Sequence, residues 1–368
     1  MVQEQKNLTV VVPAYNAQDY LARCLESLII GDPELFQKLE VLVVNDGSTD
    51  GTSALAHRYA GCYPDVFRVI DKENGNSGSC INAALAVASG KYFRELDADD
   101  WFDTDALAAF IRLLDERGED VVSTLKRNHF PDGRTESYEG LGVDYDRTCL
   151  IDEFRFRQPR DKVHFTMHAI SYRTDFLRAI GYRQMEGIFY SDMIQCYFPL
   201  KAARDIWFSK LCLYQYSQGR NDQSMAWENS VKHRHDFFLV SKTLLEDLIP
   251  IQDSLGENRR NILLELVFNY VNVFYQLSPV TREPDPDRDE LDRLVNLQPE
   301  LKEWKENNIT KPQNRMSTLN DEEIAAIQQQ LRKKTKEMRE LYAKLIEAGA
   351  ADLPDDYLDD ICYTSAIP

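Results

Sequence analysis

The sequence predicts an α/β fold: a mainly parallel sheet with covering helices over residues 1–225, followed by a helical extension over residues 226–368. Three observations predict it. Through the first 124 residues, short β-branched runs alternate with amphipathic stretches of helical length, as strand–helix–strand units require. Each of the first four predicted strands runs into a cluster of polar residues. Past residue 226 the strand patterning gives way to helical spacing.

The first strand, residues 8–12, ends in Pro13-Ala14-Tyr15-Asn16, and an apolar stripe of Tyr20, Leu21, Cys24, Leu25 and Leu28 marks the helix after it. The second, residues 40–44, ends in Asn45-Asp46-Gly47-Ser48. The third, residues 67–70, leads into Glu73-Asn74-Gly75-Asn76 and a helix carrying Ile81, Ala84, Leu85 and Ala88. The fourth, residues 92–96, ends in Asp97-Ala98-Asp99-Asp100, before a helix that starts near Thr104 and buries Leu107, Phe110, Ile111 and Leu114. A fifth strand spans residues 120–124. From 130 to 225 the pattern loosens into short strands and aromatic-rich loops that could close a cleft. Helical spacing returns over residues 261–275 and 320–347, the latter opening on a capping-box-like Asn320 to Glu323. Between them residues 278–290, with three prolines, read as a linker.

Composition narrows the function. A chain of 368 residues, 43% hydrophobic, can bury a core of domain size. A net charge of −18 repels phosphate backbones and anionic lipid, which argues against a nucleic-acid partner. The polar amino terminus does not resemble a secretion signal, and every apolar run falls far short of the roughly 20 residues that span a bilayer as a helix. Seven cysteines, scattered without a Cys-x-x-Cys pair, suggest neither a disulfide framework nor a thiolate zinc site. The expectation is a cytoplasmic protein, with peripheral attachment to the inner face of the membrane as its only membrane contact.

In an open α/β sheet the ligand crevice lies beyond the carboxyl ends of the strands. Along an extended segment alternate residues share a side, so Asp97 and Asp99 can present carboxylates to one point while Ala98 turns away. Oxygen donors of this kind suit Mn²⁺ or Mg²⁺, which keep positions open for diphosphate oxygens. An Asp-x-Asp alone is equally a solvated loop capping the next helix; its company of three other polar strand ends argues for a site. Gly47 reads as a turn residue that permits an unusual backbone angle, Asp50 or Thr52 as a helix cap, and Asn16 as a cap for the helix that follows it. Asp46, at a strand end, is left to accept hydrogen bonds from a base or ribose.

Taken in order, Pro-Ala-Tyr-Asn, then Val-Val-Asn-Asp-Gly-Ser, then Leu-Asp-Ala-Asp-Asp resemble the family 2 glycosyltransferases, inverting enzymes with the GT-A (Rossmann-like, nucleotide-diphospho-sugar transferase) fold. The resemblance covers roughly residues 8–225. It implies that Pro13, Ala14, Tyr15 and Asp46 hold the nucleoside, that Asp97 meets the ribose or diphosphate, and that Asp99, with Asp97, binds the metal. It also implies that Lys72, Asn74 and Asn82 line the donor pocket. One position departs from the pattern: Ile81 precedes Asn82 where many members carry arginine. About a hundred residues after the metal motif, Ser191-Asp192 opens a helix where such enzymes place their general base, which makes Asp192 the candidate; without the resemblance it reads as a carboxylate favoured by the helix dipole. Arg220, in a loop that in related enzymes folds over the donor, is a candidate diphosphate contact.

The implied activity is transfer of a hexose or N-acetylhexosamine from a UDP-sugar donor to a saccharide or glycoconjugate acceptor, as in cell-surface polysaccharide biosynthesis. Two alternatives stay open: a nucleotidyltransferase, whose usual glycine-rich first loop is missing from Pro13 to Asn16, and a non-catalytic nucleotide-sugar-binding protein. Ile324, Ile327, Leu331, Met338, Leu341 and Leu345 form an apolar seam that could pair two copies of the chain.

Overall fold

Unbroken apolar runs such as Val10-Val11-Val12 and Val41-Leu42-Val43-Val44 can satisfy their backbones and bury both faces only inside a covered sheet, and each of these residues is fully buried. A computed structural model describes residues 6–137, 143–153, 165–218, 227–278 and 284–310. In chain order it contains β1 (Leu8–Ala14), α1 (Leu21–Glu26), α2 (Pro33–Gln37), β2 (Leu39–Asp46), α3 (Thr52–Cys62), β3 (Phe67–Lys72), α4 (Asn76–Val87), β4 (Tyr92–Glu95), β5 (Trp101–Phe102), α5 (Thr104–Asp115) and β6 (Val121–His129). There follow β7 (Thr135–Ser137), β8 (Thr148–Leu150), β9 (Ile170–Arg173), α6 (Thr174–Ala179), α7 (Asp192–Ala202), β10 (Asp205–Ser217), α8 (Trp227–Lys232), α9 (Arg234–Leu248), α10 (Glu257–Leu277), α11 (Pro286–Val295) and α12 (Pro299–Lys305).

One sheet carries the order β3-β2-β1-β4-β9-β6-β10-β5. Its first four strands are parallel, with Leu8 opposite Leu39 on one side of β1 and opposite Tyr92 on the other. The chain winds outward from β1 to β3, then crosses back to β4. The resulting switch point between β1 and β4 is where an open α/β sheet offers its crevice. β9 runs antiparallel between β4 and β6, and β10 lies parallel to β6. All five predicted strands are present. The long β10 stands where only short strands were expected, because its buried positions, on both faces, mix Phe208, Leu213 and Tyr214 with the polar Ser209 and Gln215 and so break the alternation.

The chain divides into two compact units, at Tyr270 and Val271. The first takes in α8, α9 and most of α10, so the sheet unit continues beyond the expected boundary at 225. Phe237 of α9 and Tyr270 of α10 pack within it, ring centroids 5.4 Å apart. In the second unit Asp285 and Gln298 cap α11 and α12, and the Tyr275 hydroxyl donates to Asp292. The expected helix at 320–347, with its pairing seam, lies outside the described residues, as does part of the linker. Among the described residues no helix is long and apolar enough to cross a membrane.

Candidate active site

The first two strand ends are tied together before any ligand arrives. Asn16, at a φ of 47°, accepts the Thr49 backbone N–H at 2.9 Å and donates its own N–H to the Ser48 hydroxyl at 3.1 Å. It therefore fastens the first loop to the second instead of capping α1, whose N-cap is Tyr20. Gly47 holds a φ of 74°, and a Cβ there would lie 3.0 Å from the Asn74 nitrogen, so both conformation and space call for glycine. Asp50 accepts the Thr52 N–H at 3.0 Å, supporting the start of α3 as expected. Ala14 is buried under the loop, Pro13 is partly buried, and the Tyr15 ring stands 55% exposed, free to lie against a planar base.

Three residues expected to line the donor pocket are instead engaged with each other. The buried Asp46 carboxylate accepts from Lys72 Nζ at 2.7 Å and from the Gly75 backbone at 3.0 Å, while Asn74 donates to the Asp46 carbonyl at 3.0 Å. Lys72 also donates to Ser79 Oγ at 2.8 Å. Asp46 thus shapes the third loop, and Lys72 supplies the positive charge that burial of its carboxylate demands. Asn82 departs further from expectation. Its amide donates to the Gln184 carbonyl at 2.9 Å and to Glu186 at 2.7 Å and accepts the Gln184 N–H at 2.9 Å. Its polar atoms are spent clamping the loop before α7. In the same place Gly78 lets that loop approach α4.

The fourth strand end carries the acidic centre. Asp100 is fully buried; its oxygens accept from the Ser217 N–H at 2.7 Å and the Tyr214 hydroxyl at 2.8 Å, which draws the end of β10 onto the loop. Tyr214 in turn accepts the Asp97 N–H at 3.2 Å. Arg23 of α1 stacks 3.8 Å over Trp101 and donates to the Asp99 carbonyl at 2.9 Å. Asp97 is half-buried, and burial, then the charges of Asp99 and Asp192, push its pKa up to about 7. Asp100 and the buried Glu95 are driven well above the usual carboxylate range, first by burial and then by the charge of Asp97.

Donor atoms of Asp97, Asp100 and His168 all lie within 4.8 Å of one another. His168 enters from the turn before β9, set by fully buried Arg94, which donates to the His168 carbonyl, to Ser171 at 3.1 Å and to Thr124 at 3.1 Å. The imidazole packs against Tyr214 and Tyr216, its Nε2 3.9 Å from Asp97, and its buried Nδ1 has no hydrogen-bond partner among the described residues. Burial, with the charges of Lys126 and Arg94, holds its pKa well below that of a free imidazole, so it is a neutral nitrogen donor. Carboxylates with too little positive charge around them and a neutral imidazole fit a divalent cation of the Mn²⁺ kind. Asp99 is outside this close trio, although its charge acts on both Asp97 and Asp100.

Asp192 is the first residue of α7, as expected; the residue is solvent-accessible, and its charge acts on Asp97 and Glu95 of the same centre. Desolvation raises its pKa, and a hydrogen bond from the Tyr270 hydroxyl, 2.6 Å from Oδ1, opposes the rise. Ser191 is held by the Gln184 amide at 3.0 Å. Sequence reading missed His168, Arg94, Tyr214 and Tyr270. A tyrosine in the buried stripe of α10 with Leu263, Leu266 and Val267 was the one available signal, since a buried phenol needs a partner. Arg220 lies outside the described residues.

A Rossmann-like sheet with an acidic centre at its switch point, and a helix-start carboxylate within electrostatic reach of it, has the architecture of a glycosyltransferase of the GT-A class. Two solved structures of Staphylococcus aureus TarS, residues 1–349, share the fold: the one in complex with UDP-GlcNAc gives a TM-score of 0.56 at 20% identity over 79% of this chain and 81% of that one. The other gives 0.53 at 19% identity, over 80% and 81%. Residues 9–181, a little under half of this chain, match Glycosyl transferase family 2, the family its strand-end motifs resemble. An uncharacterized glycosyltransferase, the MG025 homolog of Mycoplasma pneumoniae, is 28% identical over 231 residues, 61% of this chain and 72% of that one. Pasteurella multocida chondroitin synthase is 36% identical over 127 residues, 34% of this chain but only 13% of the synthase.

Proposed function

We propose that the enzyme transfers a hexose or N-acetylhexosamine from a UDP-sugar to a saccharide or glycoconjugate acceptor, with inversion at the anomeric carbon, in the cytoplasm or at the inner face of the membrane. The observation that carries this reading is the pairing of two desolvated acidic groups across one crevice: Asp192 at the start of α7 and Asp97 at the end of β4, close enough that the charge of the first raises the pKa of the second. Asp192 takes the proton of the acceptor hydroxyl as its oxygen bonds to the anomeric carbon, and the bond to the diphosphate breaks on the opposite face, releasing UDP. Asp97, with Asp100 and His168 close by, would hold Mn²⁺ or Mg²⁺, and the neighbouring Asp99 would add its carboxylate. That cation, when bound, offsets the charge that grows on the departing diphosphate.

Tyr15 would stack on the uracil, while Pro13 and Ala14 give the loop its shape. Asp46, Lys72 and Asn74 form the floor beneath the nucleoside, Asn82 fixes the loop that carries the base, and Arg220 would reach the diphosphate. The donor class draws on the UDP-GlcNAc bound to TarS and on the chondroitin synthase relative. Release of UDP from UDP-glucose, UDP-galactose, UDP-GlcNAc and UDP-GalNAc, with and without Mn²⁺, tests the reading. Asp99→Ala should lose metal-dependent donor binding, whereas Asp192→Ala should bind donor and fail to transfer. Silence of the wild type with all four donors and varied acceptors would overturn it.

A further inference from the structure

We propose that Tyr270 is a positioning residue for the reaction, its hydroxyl holding the Asp192 carboxylate by Oδ1 so that Oδ2 faces the acceptor proton. The inference rests on Asp192 being the base. Asp192 sits at the first position of α7, where the short side chain could turn toward the free N–H groups of its own helix and away from the crevice. The Tyr270 phenol donates to Oδ1 at 2.6 Å, a short charge-assisted contact that fixes the carboxylate plane. Tyr270 cannot easily swing away. Its ring is buried 5.4 Å from Phe237, and Phe237 stacks at 4.2 Å on Tyr190, two residues before Asp192. The aromatic column Tyr190–Phe237–Tyr270 thus braces the base from three segments, and α10 becomes part of the catalytic unit although it follows the family 2 match by more than seventy residues.

Removal of the phenol hydroxyl should act on the protonation of the base in one direction. The groups that bear on Asp192 electrostatically are Glu95 and Asp97 from β4 and its end, Lys126 from β6, Tyr216 from β10, Tyr190 and Cys196 from its own segment, and Tyr270. Tyr270 and Lys126 favour the charged carboxylate; burial disfavours it. In Tyr270→Phe the carboxylate loses a donor, so its pKa rises and the acid limb of the kcat–pH profile should move up by about one pH unit, with kcat on the acid side of the limb down about tenfold and the KM for donor unchanged.

The assay is UDP release from the same four UDP-sugars with Mn²⁺ and water as acceptor, on the full chain, from pH 5 to 9. A merely structural tyrosine would lower the Tm and leave the limb in place. An unmoved limb and an unchanged kcat in folded Tyr270→Phe overturn the inference. Asp192→Asn separates the two levels: continued UDP release there sinks the base itself, while a silent Asp192→Asn beside an unaffected Tyr270→Phe sinks the positioning role alone. A denaturation cycle over Tyr270→Phe, Asp192→Asn and the double variant needs no substrate. Non-additivity at pH 7.5 supports the pair, and additivity overturns it.

Discussion

Replacing Gly78 by alanine should damage the enzyme far more than one methyl group implies. A Cβ there would fall 1.8 Å from the Met185 carbonyl oxygen and 2.8 Å from its carbon, and the obstacle is backbone that no rotamer change can clear. Restoring an ordinary contact of 3.4 Å demands a displacement of about 1.6 Å between α4 and the loop. That shift stretches the two Asn82–Gln184 hydrogen bonds, each 2.9 Å, beyond bonding range. At about 1 kcal/mol each, with an overpacking term of about 1–3 kcal/mol, the expected loss is about 3–5 kcal/mol. The same loop leads into Ser191 and the proposed base Asp192 at the start of α7, and misplacement of a catalytic group by about 1 Å costs on the order of 100-fold in rate. Urea denaturation and UDP release read the two effects. Gly61→Ala is the control: in exposed α3, with nothing within 4 Å, it should gain about 0.5–1 kcal/mol and leave turnover alone. Were Gly78→Ala to unfold within 0.5 kcal/mol of wild type with normal turnover, the close approach of α4 to the loop would be wrong.

Two further outcomes concern the site itself. Asp97, Glu95 and Asp100 all have pKa values raised on folding, so the folded state keeps protons that the unfolded chain has lost above about pH 4; stability without metal should fall as pH rises from about 4 to 7. In thermal scans Asp97→Asn should flatten that fall and abolish the gain in Tm from Mn²⁺; a fall as steep as in wild type would remove Asp97 from the account. Tyr15→Ala should weaken binding of UDP about tenfold by calorimetry with almost no change in Tm, because the ring is exposed; unchanged affinity would rule out stacking on the base.

The parallel half of the sheet was legible because its strands are buried on both faces and read as continuous apolar runs, and because polar residues at strand ends cannot be part of that core. The family resemblance also placed Asp192 at a helix start, where it stands. Where a polar side chain spends its hydrogen bonds is beyond the reach of spacing. Asp46, Lys72 and Asn74 all point to a pocket in one dimension, yet in three they satisfy one another, and Asn82 turns to a loop about a hundred residues away. β10 and β9 were hidden for a related reason: a strand that carries buried Ser209, Gln215 or Ser171 loses its apolar alternation, and partners such as His129 for Gln215 and Arg94 for Ser171, which make those groups tolerable, lie on other strands.

The reversal of β9 has a consequence for how such an enzyme can change. A parallel strand brings to the crevice only the residues beyond its carboxyl end, but a reversed strand begins where its neighbours finish, and so it brings the residues ahead of its start. His168 stands beside Asp97 for that reason. Residues 165–168 can therefore be rewritten, trading nitrogen for oxygen or removing the donor, without touching the register of the parallel strands. The choice of any cation held there would be adjustable from a short turn, separately from Asp46, Lys72 and Asn74, which are wired into the fold by their bonds to one another.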